Sequence, residues 1–211
     1  MRKQHGYRHG LGRLTVIALT LLLAAALPAE AHHVMGGKTP ATLLEGFLSG
    51  LGHPIIGIDH LAFIAAVGLA AGMAGLHLTM PFLFIVASAL GVALHVRGVN
   101  LPVSEFIVAA SVLLAGVLIA RGIVVHTVIW LALFAVAGLF HGYAYGESIV
   151  GAEPEPLSAY LAGLVVVQAA LATGIAIFAR RSGEGALTPR LVGAAIAGIG
   201  LAALAGQIVP V

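Results

Sequence analysis

Cysteine is absent from the 211 residues, and charge is scarce, with Asp, Glu, Lys and Arg together making up 9%. The first absence removes thiolate metal sites, disulfide frameworks and thiol nucleophiles together. Any metal must then be held by His, Asp, Glu, backbone or water. The second stands beside an apolar fraction of 60%, whereas soluble domains average roughly 25% charged residues. Such a chain reads as a polytopic membrane protein. No G-x-x-x-x-G-K-[ST] segment occurs, so the chain carries no nucleotide-hydrolysing motif of its own. There is no long internal repeat and no linker to set off a second domain. Histidine, in contrast, is plentiful, with ten in so apolar a chain.

The N-terminus is a targeting segment. Arg2, Lys3, Arg8 and Arg13 precede an apolar run from Leu14 to Leu27, and Ala29-Glu30-Ala31 follows. A basic region, a short apolar region and a small-x-small site make a secretory signal peptide, cleaved after Ala31. The mature chain then starts at His32-His33, and residues 32–211 form a single transmembrane domain. Losing residues 1–31 leaves six basic and seven acidic residues, a net charge of −1. The basic balance of the full chain therefore gives no reason to expect a nucleic-acid partner.

A short amphipathic stretch from Thr42 to Leu51 is too short to span. Six apolar segments follow, near residues 55–75, 79–96, 102–120, 123–145, 157–179 and 190–208, with turns marked by Pro81, Pro102, Pro154, Pro156 and Pro189. Their lengths suit helices crossing a hydrocarbon core about 30 Å thick. Each segment has to satisfy its own backbone groups in lipid, so the expectation is an all-α bundle of six transmembrane helices. With the mature N-terminus outside, Arg121, Arg180, Arg181 and Arg190 fall inside, as the positive-inside rule asks, and Lys38, Arg97, Glu147, Glu153 and Glu155 outside, Arg97 against the rule. Small residues at Gly46/Gly50, Gly68/Gly72, Gly142/Gly146 and Ala194/Gly198 have the four-residue spacing that lets helices approach closely in lipid.

The stretch Gly52 to Gly72, GHPIIGIDHLAFIAAVGLAAG, places His53, Asp59 and His60 at the head of an otherwise uncharged apolar run. A carboxylate at mid-bilayer costs at least about 2.5–3.5 kcal/mol, so such groups are rarely retained without a function. On one straight helix His53 and His60 share a face two turns apart while Asp59 points elsewhere. A turn or distortion at Pro54 and Gly57 is needed to gather the three. A second constellation, Phe140 to Glu147, reads FHGYAYGE; it carries His141 and Glu147, and Gly142 and Gly146 offer places to bend. Both motifs fall on the outer side, as do His95 and the mature His32 and His33. Imidazole nitrogen with carboxylate oxygen suits borderline divalent ions such as Ni2+, Co2+ and Zn2+.

The two motifs together resemble the HupE/UreJ family of nickel and cobalt permeases, accessory proteins to hydrogenases and ureases. The likeness runs over essentially the whole mature chain. It implies uptake of Ni2+ or Co2+ across the bacterial inner membrane, with His53, Asp59, His60, His141 and Glu147 as the functional positions, a periplasmic mature N-terminus and no tightly bound cofactor beyond the transported ion. Beside that set, His95 divides between a helix-to-helix hydrogen bond and a pathway role, and His32 and His33 form a metal-capturing start. His77 and His126 read as interfacial, Tyr143 and Tyr145 as belt aromatics, and Glu45 and Glu105 as charges favoured at helix starts. A competing reading is an intramembrane hydrolase in which the same His and Asp hold Zn2+ and Glu147 is the general base.

Overall fold

The computed structural model describes residues 38–73, 75, 79–181 and 187–208. The proposed signal peptide and the mature start at His32 and His33 lie outside these residues. Within them the chain forms seven α-helices: α1 (Leu43–Ile56), α2 (Ile58–Met73), α3 (Met80–Val96), α4 (Ser104–Arg121), α5 (Thr127–Gly146), α6 (Pro154–Arg181) and α7 (Leu187–Ile208), with a 3-10 turn over Glu147–Ile149 between α5 and α6. No strand occurs among the described residues, in keeping with the expected all-α class.

Local chemistry sets the helix ends. Thr42 caps α1: its Oγ1 accepts from the Glu45 N–H at 3.2 Å, and Glu45 Oε2 accepts from the Thr42 N–H at 3.2 Å and the Ala41 N–H at 2.8 Å. Glu45 thus has the helix-start role expected of it, in a reciprocal box. At the far end Pro54 removes one backbone donor, and α1 stops two residues later. The stretch expected to end at Leu51 therefore continues as helix to Ile56. Helix α4 ends on Gly122 at φ 60°, and the Arg190 guanidinium donates to Ala120 O at 3.0 Å and Arg121 O at 3.4 Å, a positive group on the negative helix end.

The six-span expectation is met in part. Four helices, α4 to α7, are long and apolar enough to cross a membrane, and α1 with α2 makes a fifth when taken as one span bent by 80° at Gly57. The reason lies in helix length. Sixteen residues in α2 and seventeen in α3 reach only about 24 Å and about 26 Å at 1.5 Å per residue, short of a core about 30 Å thick. The outer surface is that of a membrane protein, since Leu44, Val86, Leu90, Phe106, Val136 and Phe178 are all exposed.

Backbone-to-backbone seams hold the bundle together. A Cβ on Gly46 or Gly50 would strike the carbonyls of Pro156 and Tyr160, and one on Gly68 or Gly72 would meet those of Ala172 and Ala176. These matched steps show α1 and α2 lying in succession along α6, all three running the same way. Gly138 and Gly142 face Phe84 and Ser88, so α5 runs parallel to α3, whereas Gly116 and Gly200 of the antiparallel pair α4 and α7 face Ala197 and Leu113. Three of the four expected small-residue pairs sit in such seams. The fourth is displaced, because Gly193 and Gly200 make the contacts while Gly198 faces open space. Short connections make the helices alternate in direction, which gathers Arg121, Arg180, Arg181 and Arg190 at one end and Glu147, Glu153 and Glu155, with Arg97, at the other.

A large apolar cluster built on Phe63, Phe84, Phe134 and Trp130 fills the arginine-bearing half. A smaller one of Val92, Tyr145, Ile149, Tyr160 and Leu164 fills the other half. Gly142→Ala should lower stability by about 1–3 kcal/mol, because its Cβ meets rigid Ser88 backbone. Gly198→Ala, in open space, should stay near or slightly above wild type. Thermal unfolding of the two variants in detergent compares them directly, and equal midpoints would contradict the seam.

Candidate metal centre

The break between α1 and α2 creates the centre. Gly57 has φ −71° and ψ 101°, open to any residue, so glycine is required there for room. A Cβ at this position would lie 2.7 Å from Cδ2 of His60. Folding back at Gly57 brings the rings of His53 and His60 to 5.8 Å between centroids, where an unbroken helix would separate them by about 10 Å along its axis. The bend expected from Pro54 and Gly57 is therefore present. Asp59 sits in the first turn of α2 and accepts from the His60 N–H at 2.8 Å, at the helix end where a carboxylate is favoured.

From the other side α5 supplies His141. Its Nδ1 lies 2.9 Å from Nδ1 of His60, and its ring stacks on Phe63 at 4.5 Å. The proton positions follow from the neighbours. Ser111 on α4 donates to Val108 O at 2.7 Å, so at 3.0 Å its oxygen accepts from Nε2–H of His141. A neutral His141 then offers its Nδ1 lone pair, His60 donates Nδ1–H to it, and the basic nitrogen of His60 is Nε2. One serine on a third helix thus sets the tautomers of both imidazoles.

His53 is held by different partners. Its Nδ1 lies 2.9 Å from Ser148 Oγ and 3.1 Å from Tyr160 Oη. Tyr160 donates to Tyr145 O at 2.7 Å, and Ser148 has both Tyr145 O and Tyr160 Oη within 3.2 Å as acceptors. With those protons committed, Nδ1–H of His53 is the donor and Nε2 its basic atom. Tyr145 lies between the two halves, its ring 5.3 Å from His53 and 4.4 Å from His60. It is fully buried, so it is no belt aromatic.

Four of the expected residues, His53, Asp59, His60 and His141, are buried side by side where the two apolar clusters meet. Glu147 opens the 3-10 turn and is exposed at the rim, one residue from the Ser148 that holds His53. His95 takes the helix-to-helix role: its Nδ1 donates to Tyr143 O at 2.7 Å and its ring lies 4.3 Å from that of Tyr143. Among the described residues no three of the His, Asp and Glu side chains are disposed to hold one metal ion. The eight-residue set expected from sequence is therefore resolved into a buried cluster, a rim carboxylate, an interhelical histidine and two histidines outside the described residues. Ser111, Tyr160 and Ser148 carry no motif. The signal for the first two is a lone hydroxyl in an apolar span, which also fits ordinary helix packing.

The description "HupE / UreJ protein" matches residues 19–203. The chain belongs to the HupE/UreJ family. The family is associated with nickel and cobalt uptake for hydrogenase and urease, and this member is a multi-pass membrane protein. It is similar to "Protein HupE" of Rhizobium leguminosarum bv. viciae, with 31% identity over 191 residues, covering 89% of this chain and 96% of the relative. No solved structure matches. Ser111→Ala should leave the His141 N–H without an acceptor and cost about 1–3 kcal/mol. Ser111→Thr, which keeps the hydroxyl, should recover most of that loss, and thermal unfolding of the two variants in detergent measures it.

Proposed function

We propose that this HupE/UreJ protein is a permease that imports Ni2+ or Co2+ across the bacterial inner membrane. In this reading the signal peptide is cleaved and six crossings follow, the bent pair α1–α2 being the first and the short α3 the second. The mature N-terminus and the carboxylate-bearing end face the periplasm, and the four arginines face the cytoplasm.

One observation carries the reading: two imidazole nitrogens, one on each motif, face each other at 2.9 Å inside an apolar bundle. Nitrogens bound at about 2.0–2.1 Å to adjacent corners of an octahedral ion are themselves about 2.9 Å apart. The two atoms are thus already at the separation a shared cation needs, and to bind it His60 gives up its Nδ1 proton and the rings turn so that both lone pairs converge on the ion. Asp59, next in sequence to His60, supplies the negative charge that a divalent ion needs in an apolar surround. Glu147 at the rim, with His32 and His33 of the mature start, gathers the hydrated ion. Two imidazoles with a carboxylate near but not beside them select a borderline ion by their nitrogen donors, and so few fixed ligands let it leave.

His60→Ala and Asp59→Asn should each reduce uptake at limiting metal by at least about tenfold while leaving membrane insertion intact. The measurement is accumulation of Ni and Co in cells lacking their own uptake systems, with the amount of inserted protein quantified in parallel. Wild-type protein that changes neither accumulation would overturn the permease reading, and normal transport by Asp59→Asn would remove the central stretch from it.

A further inference from the structure

We propose that the side chains of Phe63 and Phe84 form the inner barrier of the permease, a dry pair of rings directly inward of His60 and His141 that the cation passes only when they swing apart. The barrier rests on the permease reading above and adds to it the residues that hold the route closed toward the arginine-bearing end.

Register places the pair. Phe63 follows His60 by three residues, about 4.5 Å further in along α2. The seam that seats Gly142 on Ser88 also seats Gly138 on Phe84, and Gly138 lies three residues, about 4.5 Å, inward of His141 on α5. Each imidazole thus has a phenylalanine on its inward side, one from α2 and one from α3. The two rings meet at 5.4 Å between centroids, tilted by 44°. Phe63 also stacks on the His141 ring at 4.5 Å, and Phe84 meets that ring edge-on at 6.1 Å. Both phenylalanines are 0% exposed.

The two sides of this pair differ in chemistry. The buried polar side chains among the described residues lie level with the imidazoles or outward of them. Inward, the buried surface of the described residues is apolar, with Phe134 and Trp130 next in line on α5. A divalent ion stripped of water finds no ligand there, and one that keeps its water finds no polar wall, so the closed rings exclude both. The imidazoles therefore bind the ion against a wall, and its release inward waits on the rings. Tilted and edge-on ring contacts are weak enough to be broken and re-formed. The pair is also placed to open: α2 packs extensively on α6 but only lightly on α3 and α5, so the contact between Phe63 and Phe84 is made across the looser side of α2.

The test uses purified full-length protein, with thermal unfolding in detergent and initial rates of Ni2+ and Co2+ uptake in liposomes, per inserted molecule. Phe63→Met and Phe84→Met lose little apolar volume, so the fold is retained, and each replaces a flat ring by a flexible chain. Each should raise the maximal rate by about two- to tenfold, the factor that losing one ring contact from the closed state makes in the rate of leaving it. Ile64→Val is the control. It changes the next residue of α2, equally buried, and removes core volume away from the ring pair, so it should lower the melting temperature without raising the rate. A gain in either methionine variant with none in Ile64→Val supports the barrier. Maximal rates at or below wild type in both methionine variants overturn it, and so does an equal gain in Ile64→Val, which indicates a general loosening of the core. Wild-type protein that transports neither metal defeats the permease reading and the barrier with it, whereas wild-type transport with no gain in either methionine variant defeats the barrier alone.

Discussion

A polar group inside an apolar bundle has to find its partner within the protein, and the arrangement around the imidazoles follows from that requirement. Neither lipid nor bulk water can satisfy His60 and His141, so each is bonded to the other and the set is closed by Ser111 and the Val108 carbonyl. His53 meets the same demand through Ser148 and Tyr160. Every one of these contacts joins different helices or different parts of the chain except the local return from Ser111 to Val108. The polar cluster is therefore as much a tertiary fastening as a site.

The glycines make this closeness possible. At Gly57 the residue is selected by the space His60 occupies, with an ordinary backbone conformation. In the seams it is selected by the approach of a neighbouring carbonyl. In lipid, where apolar side chains gain little by leaving their surroundings, close backbone contact is the main source of helix association. One physical device thus both assembles the bundle and makes room for the imidazoles.

Much of this was legible in the sequence, for identifiable reasons. Lipid imposes helices, so an apolar chain with little charge led directly to an all-α bundle. Pro54 and Gly57 marked the bend, since a straight helix could not have gathered His53, Asp59 and His60. Helix count was less legible, because hydropathy does not distinguish a segment long enough to cross from α2 and α3, which are short. Two features concealed the rest of the site. Tyr145 looked like an interfacial aromatic because it lies near the end of a span, and only the packing of α3 and α6 around it makes it internal. Ser111 and Tyr160 join the cluster by tertiary register alone, with no local pattern to separate them from residues that merely pack. His95, similarly placed in sequence, turned out to serve the α3–α5 contact through Tyr143.

The three most extensive helix interfaces are α3 with α5, α4 with α7 and α1 with α6, and in each, glycines bring the two backbones into direct contact. Such couples behave as stiff plates, since no side-chain rotation can relieve them. His141 and Tyr145 belong to the first couple, Ser111 to the second, and His53 and Tyr160 to the third, while His60 sits on α2, bonded to the first and packed along the third. The polar groups therefore lie where the plates meet, not within any one of them. A sliding or tilting of one plate against another would disturb chiefly the handful of side-chain hydrogen bonds at that junction and leave the stiff contacts whole. The soft joints of the molecule and its buried imidazoles are then the same atoms, so a change in what those imidazoles are bonded to is mechanically connected to the relative positions of the plates.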